Sequence, residues 1–428
     1  MRAPAGPDPH FMRVAGSPPS VPVGEDLPVR NARNAVYAVF FSAGFIFASW
    51  ASRIPQVRAE LGVGPGVLGL VLLSAAVGSA LGTTLSGLLI GWIGEIRTVI
   101  AMCWTAAAGM IVVAAGCRLG RPGIPEVAAG LFLFGLGNGA WDVAMNVQGA
   151  AVERALGRAI LPRFHAGWSI GTVAGAGVGA VMVVLQVPVT VHLIAATLAV
   201  AVAVPIAARK FLPTSRTTEH EAAGTSRRRA LDAWTDPRTL LIGLFVLCMA
   251  FTEGTGNDWL SLGVIDGYHV PAALGTLAFA LFLAAMTAGR WFGPRLIDRY
   301  GRVRVLRVCA ATALAGLLMI VFGGFLPVAL AGAAAMGLGT SLGFPVGLSS
   351  AADDPRHAAP RVSTAASMGY LAFLAGPPAI GFLADQVGVL RSLTIAGILI
   401  AAAFVLARFT APLPRSAGRG AAGPAHPD

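Results

Sequence analysis

Asn138, Asp142 and Asn146 recur every four residues in the stretch Gly135-Leu-Gly-Asn-Gly-Ala-Trp-Asp-Val-Ala-Met-Asn-Val-Gln-Gly149. On a helix they fall, with Met145 and Gly149, within about a 100° arc. A carboxylate flanked by two amides can take up and release a proton, or hydrogen-bond a hydroxyl-bearing solute. The residues around them are apolar. A charged group at the centre of a bilayer costs roughly 2.5–3.5 kcal/mol by insertion scales, so it must face a polar cavity or a partner helix. The cavity is the default reading for an ionisable residue at that depth.

A second set lies in Phe251-Thr-Glu253-Gly254-Thr-Gly256-Asn257-Asp258-Trp259. Glu253 falls near the middle of its apolar segment and suits reversible protonation. Asp258 falls nearer one end and is a candidate partner for Arg53. Gly254 and Gly256 each cost a helix about 1 kcal/mol. Together they predict a local break of the kind tolerated where backbone lines a cavity. His165 opens another apolar segment, with Trp168, Ser169 and Thr172 on the same face, and histidine titrates near neutrality. Trp50, Trp141, Trp168 and Trp259 offer flat surfaces for a sugar ring or any apolar solute.

The elements that carry these residues follow from composition. The chain has 428 residues, 56% hydrophobic and 12% charged, with a mean hydropathy of +0.73. A soluble domain carries about 25% charged residues, so this is a polytopic all-α membrane protein. Twelve apolar spans are predicted at 35–55, 66–90, 97–117, 125–149, 165–187, 189–208, 239–262, 272–293, 305–324, 327–350, 363–384 and 389–409. They form two six-helix bundles, 35–208 and 239–410, joined by a basic linker, 209–238, that holds Arg227-Arg228-Arg229. Residues 1–34 and 411–428 are rich in Gly, Pro and Ala and are expected to be disordered tails.

Twelve spans put both termini on one side. That side then holds 26 of the 31 Lys and Arg residues, against Arg53, Arg58, Arg118, Arg121 and Arg391 on the other. By the positive-inside rule it is the cytoplasm. The net charge of +11 resides in loops rather than in a basic domain, so no nucleic-acid partner is expected.

The two halves repeat. Leu68-Gly69 matches Leu274-Gly275, Gly94 to Arg97 matches Gly301 to Arg304, Gly135-Leu-Gly137 matches Gly337-Leu-Gly339, and Ser169-Ile-Gly171 matches Ser367-Met-Gly369. An even number of spans per half gives the repeats one orientation. Between the eighth and ninth spans stands Ile297-Asp298-Arg299-Tyr-Gly301-Arg302-Val-Arg304. This stretch resembles the loop signature of the major facilitator superfamily. The resemblance covers residues 35–410. Asp142 to Gly149 with Glu153, Phe164-His165 to Gly171, and Glu253-Gly254 with Asp258-Trp259 make it similar to a bacterial branch resembling fucose permease in outline.

The resemblance implies two bundles rocking about a central site, and that the membrane is the bacterial inner (plasma) membrane. It also implies a conformational-switch loop of Asp298, Arg299, Gly301 and Arg302. Arg290, two turns before Asp298, is placed to stabilise that loop rather than to touch cargo. Pro294 replaces that signature's usual glycine, and Gly91 replaces the aspartate in the first half, where Glu95 is the candidate substitute.

The expected function is a secondary active transporter of a small solute, a sugar or small metabolite, coupled to protons. Its substrate-binding or coupling residues are Asn138, Asp142, Asn146, Glu253, Asn257, Asp258, Trp50, Arg53, His165 and Trp168. The alternative is a membrane-embedded enzyme or receptor using the same cavity. No catalytic residue is assigned. Gly167-Trp-Ser169-Ile-Gly171 matches GxSxG, but a nucleophile elbow needs a strand before the turn. His220-Glu221 lacks the second histidine of a zinc motif. The four cysteines fall in apolar segments and read as small buried hydrophobes. No metal or cofactor is expected; the partners are a small-molecule solute, protons and the lipid bilayer, and the protein is expected to be a monomer.

Overall fold

The computed structural model describes residues 27–158, 160–213, 233–354 and 357–413. Among them there are helices and no strands. Twelve helices are long and apolar enough to cross a membrane. The first half holds α1 Leu27–Ala51, α2 Pro65–Ile93, α3 Glu95–Arg118, α4 Ile124–Leu156, α5 Leu161–Val184 and α6 Val189–Ala208. The second holds α7 Pro237–Tyr268, α8 Ala272–Tyr300, α9 Arg302–Phe322, α10 Leu326–Ala351, α11 Ala358–Val387 and α12 Val389–Thr410. A short helix, Ile54–Leu61, joins α1 to α2.

The helix ends follow local chemistry. Proline occupies the first turn of α2, α4, α5, α7 and α10, where its missing N–H has no helical acceptor to lose. Asp236 caps α7 by accepting from the Thr239 amide at 3.1 Å. Burial pushes the Asp236 carboxyl up, but the Thr239 hydroxyl and amide and the Arg361 guanidinium outweigh that and hold it below the usual carboxylate range. Gly94 and Gly301 end α2 and α8 at φ +81° and +82°, a conformation that favours glycine. They are repeat counterparts.

Two expectations are corrected. α1 begins at Leu27, not near residue 35; its first two turns carry Arg30, Arg33 and Asn34, which hydropathy counts as loop. α7 runs unbroken through Gly254 and Gly256. Those glycines are packing contacts: a Cβ on Gly256 would strike the Phe282 ring, and one on Gly254 would press on Phe373. The irregular turn lies in α10 instead, at residues 341–342. Residues 1–26, 214–232 and 414–428, which hold most of the expected tails and linker, lie outside the described residues.

Lipid offers no hydrophobic drive between helices, so small residues set the approach. In the first half, Gly171 and Gly175 of α5 lie on the Phe41 and Phe45 carbonyls, and Gly44 lies on the Trp168 carbonyl. Gly109 faces Gly130 between α3 and α4, and Gly316 faces Gly332 between α9 and α10. Cys103, Cys117 and Cys248 are buried, Cys309 is half-buried, and all four are free.

The repeat extends to a hydrogen-bonded clasp. In the first half Gln148 of α4 donates to Glu95, the first residue of α3, at 3.1 Å, and to the Leu212 carbonyl beyond α6 at 2.9 Å. In the second, Arg302, the first residue of α9, donates to Ser350 of α10 at 3.1 Å and to the Thr410 carbonyl at the end of α12 at 3.1 Å. The positions correspond; the donor and acceptor roles are exchanged.

The halves meet through α2 with α11 and α5 with α8. At one end they are tied. Arg58 pairs with Asp266 at 2.6 Å, the Gly66 amide donates to Asp385 at 3.1 Å, and Gly381 lies on the Pro65 carbonyl. Toward the other end of α2, Gly87 and Gly91 have open space around them.

Candidate functional site

α4 is built to present its polar face at one depth. Gly135 and Gly139, seven and three residues before Asp142 and on the same face, are covered by the α2 carbonyls of Ala75 and Ser79. That close approach requires glycine on both helices, since Gly78 and Gly82 of α2 lie equally close to the Phe132 and Leu136 carbonyls. Asp142 follows the covered stretch and is exposed. Tyr370 of α11, in the opposite half, lies within its electrostatic reach. Asp142 therefore faces the seam between the halves. Asn146 is half-buried and donates to the Asp142 backbone carbonyl at 2.9 Å, and Asn138 is half-buried one turn earlier.

A second group converges from α5, α7, α8 and α10. Glu253 is buried and accepts from Arg290 at 2.8 Å. Arg290 also donates through Nε to the Ser341 carbonyl at 3.3 Å, in the irregular turn of α10. His165 of α5 is exposed, packs edge-on against Phe40 with centroids 5.2 Å apart, and lies within electrostatic reach of Arg290. Thr287 of α8 reaches the Ser169 carbonyl of α5 at 3.5 Å beside it. Trp168 is half-buried and stacks on Phe47.

The remaining candidates are dispersed. Arg53 is 2% exposed and donates to the Val187 carbonyl at 2.6 Å; the expected pair with Asp258 is not formed, because Arg53 turns into the first half. Asp258 and Asn257 are half-buried on α7, and the Asn257 Oδ1 atom has no hydrogen-bond partner among the described residues. Trp50 is buried. In the loop, Asp298 is exposed and Arg299 lies over the Tyr300 ring at 5.3 Å. Arg302 contacts Asp353 at 3.0 Å, and Arg238 reaches the same carboxylate at 3.0 Å. Arg290 points to Glu253 and not to this loop.

Sequence reasoning missed Tyr370, Asp353, Asp385 and the Arg58–Asp266 pair. Arg58 and Asp266 lie 208 residues apart, and only their shared place at one end of the bundles gave a signal. Among the described residues, no group of His, Cys, Asp and Glu is arranged to hold a metal.

Comparison with known proteins places this arrangement. The sequence profile of the Major Facilitator Superfamily matches residues 259–426. An uncharacterized transporter, y4wD, of Sinorhizobium fredii is 32% identical over 376 residues, spanning 87% of this chain and 96% of the relative. An uncharacterized MFS-type transporter of Yersinia pestis is 31% identical over 369 residues, spanning 83% and 89%. Among solved structures, the nucleoside transporter NupG superposes with a TM-score of 0.68 at 14% identity, covering 89% of this chain and 98% of its own. The E. coli fucose:proton symporter FucP gives 0.62 at 16% identity, covering 89% and 98%.

Proposed function

The chain belongs to the major facilitator superfamily of membrane transporters, and on that premise we propose that it is a secondary active transporter coupling a small polar solute to protons at Asp142. The observation that carries this reading is the contrast between the two carboxylates. Glu253 is neutralised by Arg290, whereas Asp142 and Asp258 have no cation within ion-pair distance among the described residues, and of these two Asp142 is the exposed one, at the seam. An ionised carboxylate at membrane depth without a partner is strongly disfavoured, so Asp142 binds a proton or a solute donor during the cycle.

The solute is a hydroxylated small molecule, a sugar or a related metabolite. Asn138, Asp142, Asn146 and Tyr370 supply acceptors and donors, and Trp168 supplies a flat apolar surface. The named activities of FucP and NupG, on fucose and nucleosides, lie in the same chemical range. With both termini in the cytoplasm, the tied end faces outward and the site opens inward. Labelling from outside at a cysteine placed at Ser226 should fail in intact cells; efficient labelling reverses the orientation.

The test is uptake into proteoliposomes of a sugar, nucleoside and metabolite panel, with and without an imposed pH gradient. Gradient-driven accumulation of one class supports the reading. Equal fluxes with and without the gradient sink the proton coupling.

A further inference from the structure

The loop between α8 and α9 borders a pocket of about 660 Å³ lined from α8, α9 and α12. Four arginines line it: Arg299, Arg302, Arg304 and Arg307. No acidic residue does among the described residues. Arg302 is engaged by Asp353, but Arg299, Arg304 and Arg307 have no carboxylate within ion-pair distance among the described residues. The Arg307 Nε atom is shielded from solvent without an acceptor among the described residues, and its guanidinium lies 5.6 Å from the centre of the Phe404 ring. The first turn of α9 forms one wall and carries no side-chain cap. A helix N-terminus of this kind favours an anion near its leading amides.

The other wall is apolar. Val308, 60% exposed, and Ala311 one turn further along α9 line it, with Phe404 of α12. A soluble anion would leave that wall wet. An anionic headgroup attached to acyl chains covers both walls, the charge above and the chains along α9 and α12.

The internal repeat makes the site specific to one half. Trp92, Glu95, Arg97 and Ile100 stand where Arg299, Arg302, Arg304 and Arg307 stand in the second half. One position of four keeps its arginine, and one carries the opposite charge.

We propose that this pocket binds the phosphate of an anionic phospholipid, seated beside the switch loop on the side of the membrane that holds the α8–α9 turn. Basic pockets between membrane helices recognise such headgroups, each Lys or Arg near the surface contributing about 1 kcal/mol.

The experiment is lipid retention by the purified full-length protein, read by native mass spectrometry, with phosphatidylglycerol and phosphatidylcholine supplied together. The same samples are read for thermal midpoint with each lipid and with inorganic phosphate at matched ionic strength. The expected result is preferential retention of phosphatidylglycerol, reduced roughly five-fold for each arginine removed in Arg304→Gln and Arg307→Gln. Arg97→Gln, the counterpart of Arg304, should leave the preference intact. Equal retention of the two lipids overturns the proposal, as does a preference unchanged in both variants. Equal stabilisation by inorganic phosphate reassigns the pocket to a soluble anion. A preference that appears only after removal of residues 414–428 shows that the chain's own tail fills the pocket, and overturns it too. Should Arg307→Gln fail to fold, the exposed Arg304 alone decides.

Discussion

Arg58, on the short helix of the first half, lies 2.6 Å from Asp266 at the end of α7 in the second half. Both side chains are partly exposed, at 22% and 38%, so the pair contributes at most about 1 kcal/mol to stability. On the proposed rocking cycle its effect is on the balance of states, because the pair would hold only while this end is shut. Arg58→Gln should shift that balance by roughly five-fold and leave the thermal midpoint almost unchanged. The readout is the alkylation rate of a cysteine at Gln56, whose amide atoms are shielded in this closed arrangement. A rate indifferent to Arg58→Gln would mean the bridge plays no part in gating.

Glu253 and Arg290 behave differently, since they sit inside the second half with side chains 11% and 25% exposed. Removing one member of such a pair strands the other, at a cost of about 3–5 kcal/mol. Glu253→Gln and Arg290→Met should each lower the thermal midpoint in detergent, and the double variant should recover much of the loss. Additive losses would show that each group is held by other partners.

The twelve spans were legible because a membrane helix advertises itself by length and apolarity, and the repeat because Gly94 and Gly301 need the same unusual backbone. The polar face of α4 was legible for the same reason: Asn138, Asp142 and Asn146 sit at helical spacing within one element. What could not be read were relations between elements. Arg290 lies eight residues before Asp298 in the chain, and nothing local says that it turns inward to α7. Gly254 and Gly256 were misread because a glycine that breaks a helix and one that admits a neighbouring ring look alike until Phe282 is placed. The extra turns of α1 were missed because helix beyond the bilayer has no apolar signature.

The loop proposed as a switch divides, among the described residues, into a part without ion pairs at Asp298 and a paired part at Arg302. Asp298 is exposed, so Asp298→Asn should leave the thermal midpoint unchanged and slow the transport cycle. Arg302 donates to Asp353, Ser350 and the Thr410 carbonyl, and hydrogen bonds of a charged group are each worth about 1.5–3 kcal/mol. Arg302→Gln should therefore lower the midpoint as well as the rate. Thermal stability and solute flux measured on both variants check the division. A fall in stability for Asp298→Asn would reveal a partner for this aspartate in another state.

Asp142 is where transport and proton movement should part company. Asp142→Asn keeps the size of the side chain and some of its hydrogen bonding, and fixes it in an uncharged form. The side chain is exposed at the seam and holds no ion pair among the described residues, so its neutralisation should cost little stability. If Asp142 carries the coupling proton, the variant should lose gradient-driven accumulation while solute exchange down equal concentrations continues. If Asp142 only hydrogen-bonds the solute, accumulation and exchange should fall together through a raised KM, and the pH dependence of what remains should match the parent. If it only fastens helices, the thermal midpoint should drop with both. Accumulation, counterflow and thermal midpoint on the one variant separate the three. Full accumulation in Asp142→Asn would remove the aspartate from the coupling mechanism and leave His165, which faces Arg290 across the same seam, as the group to neutralise next.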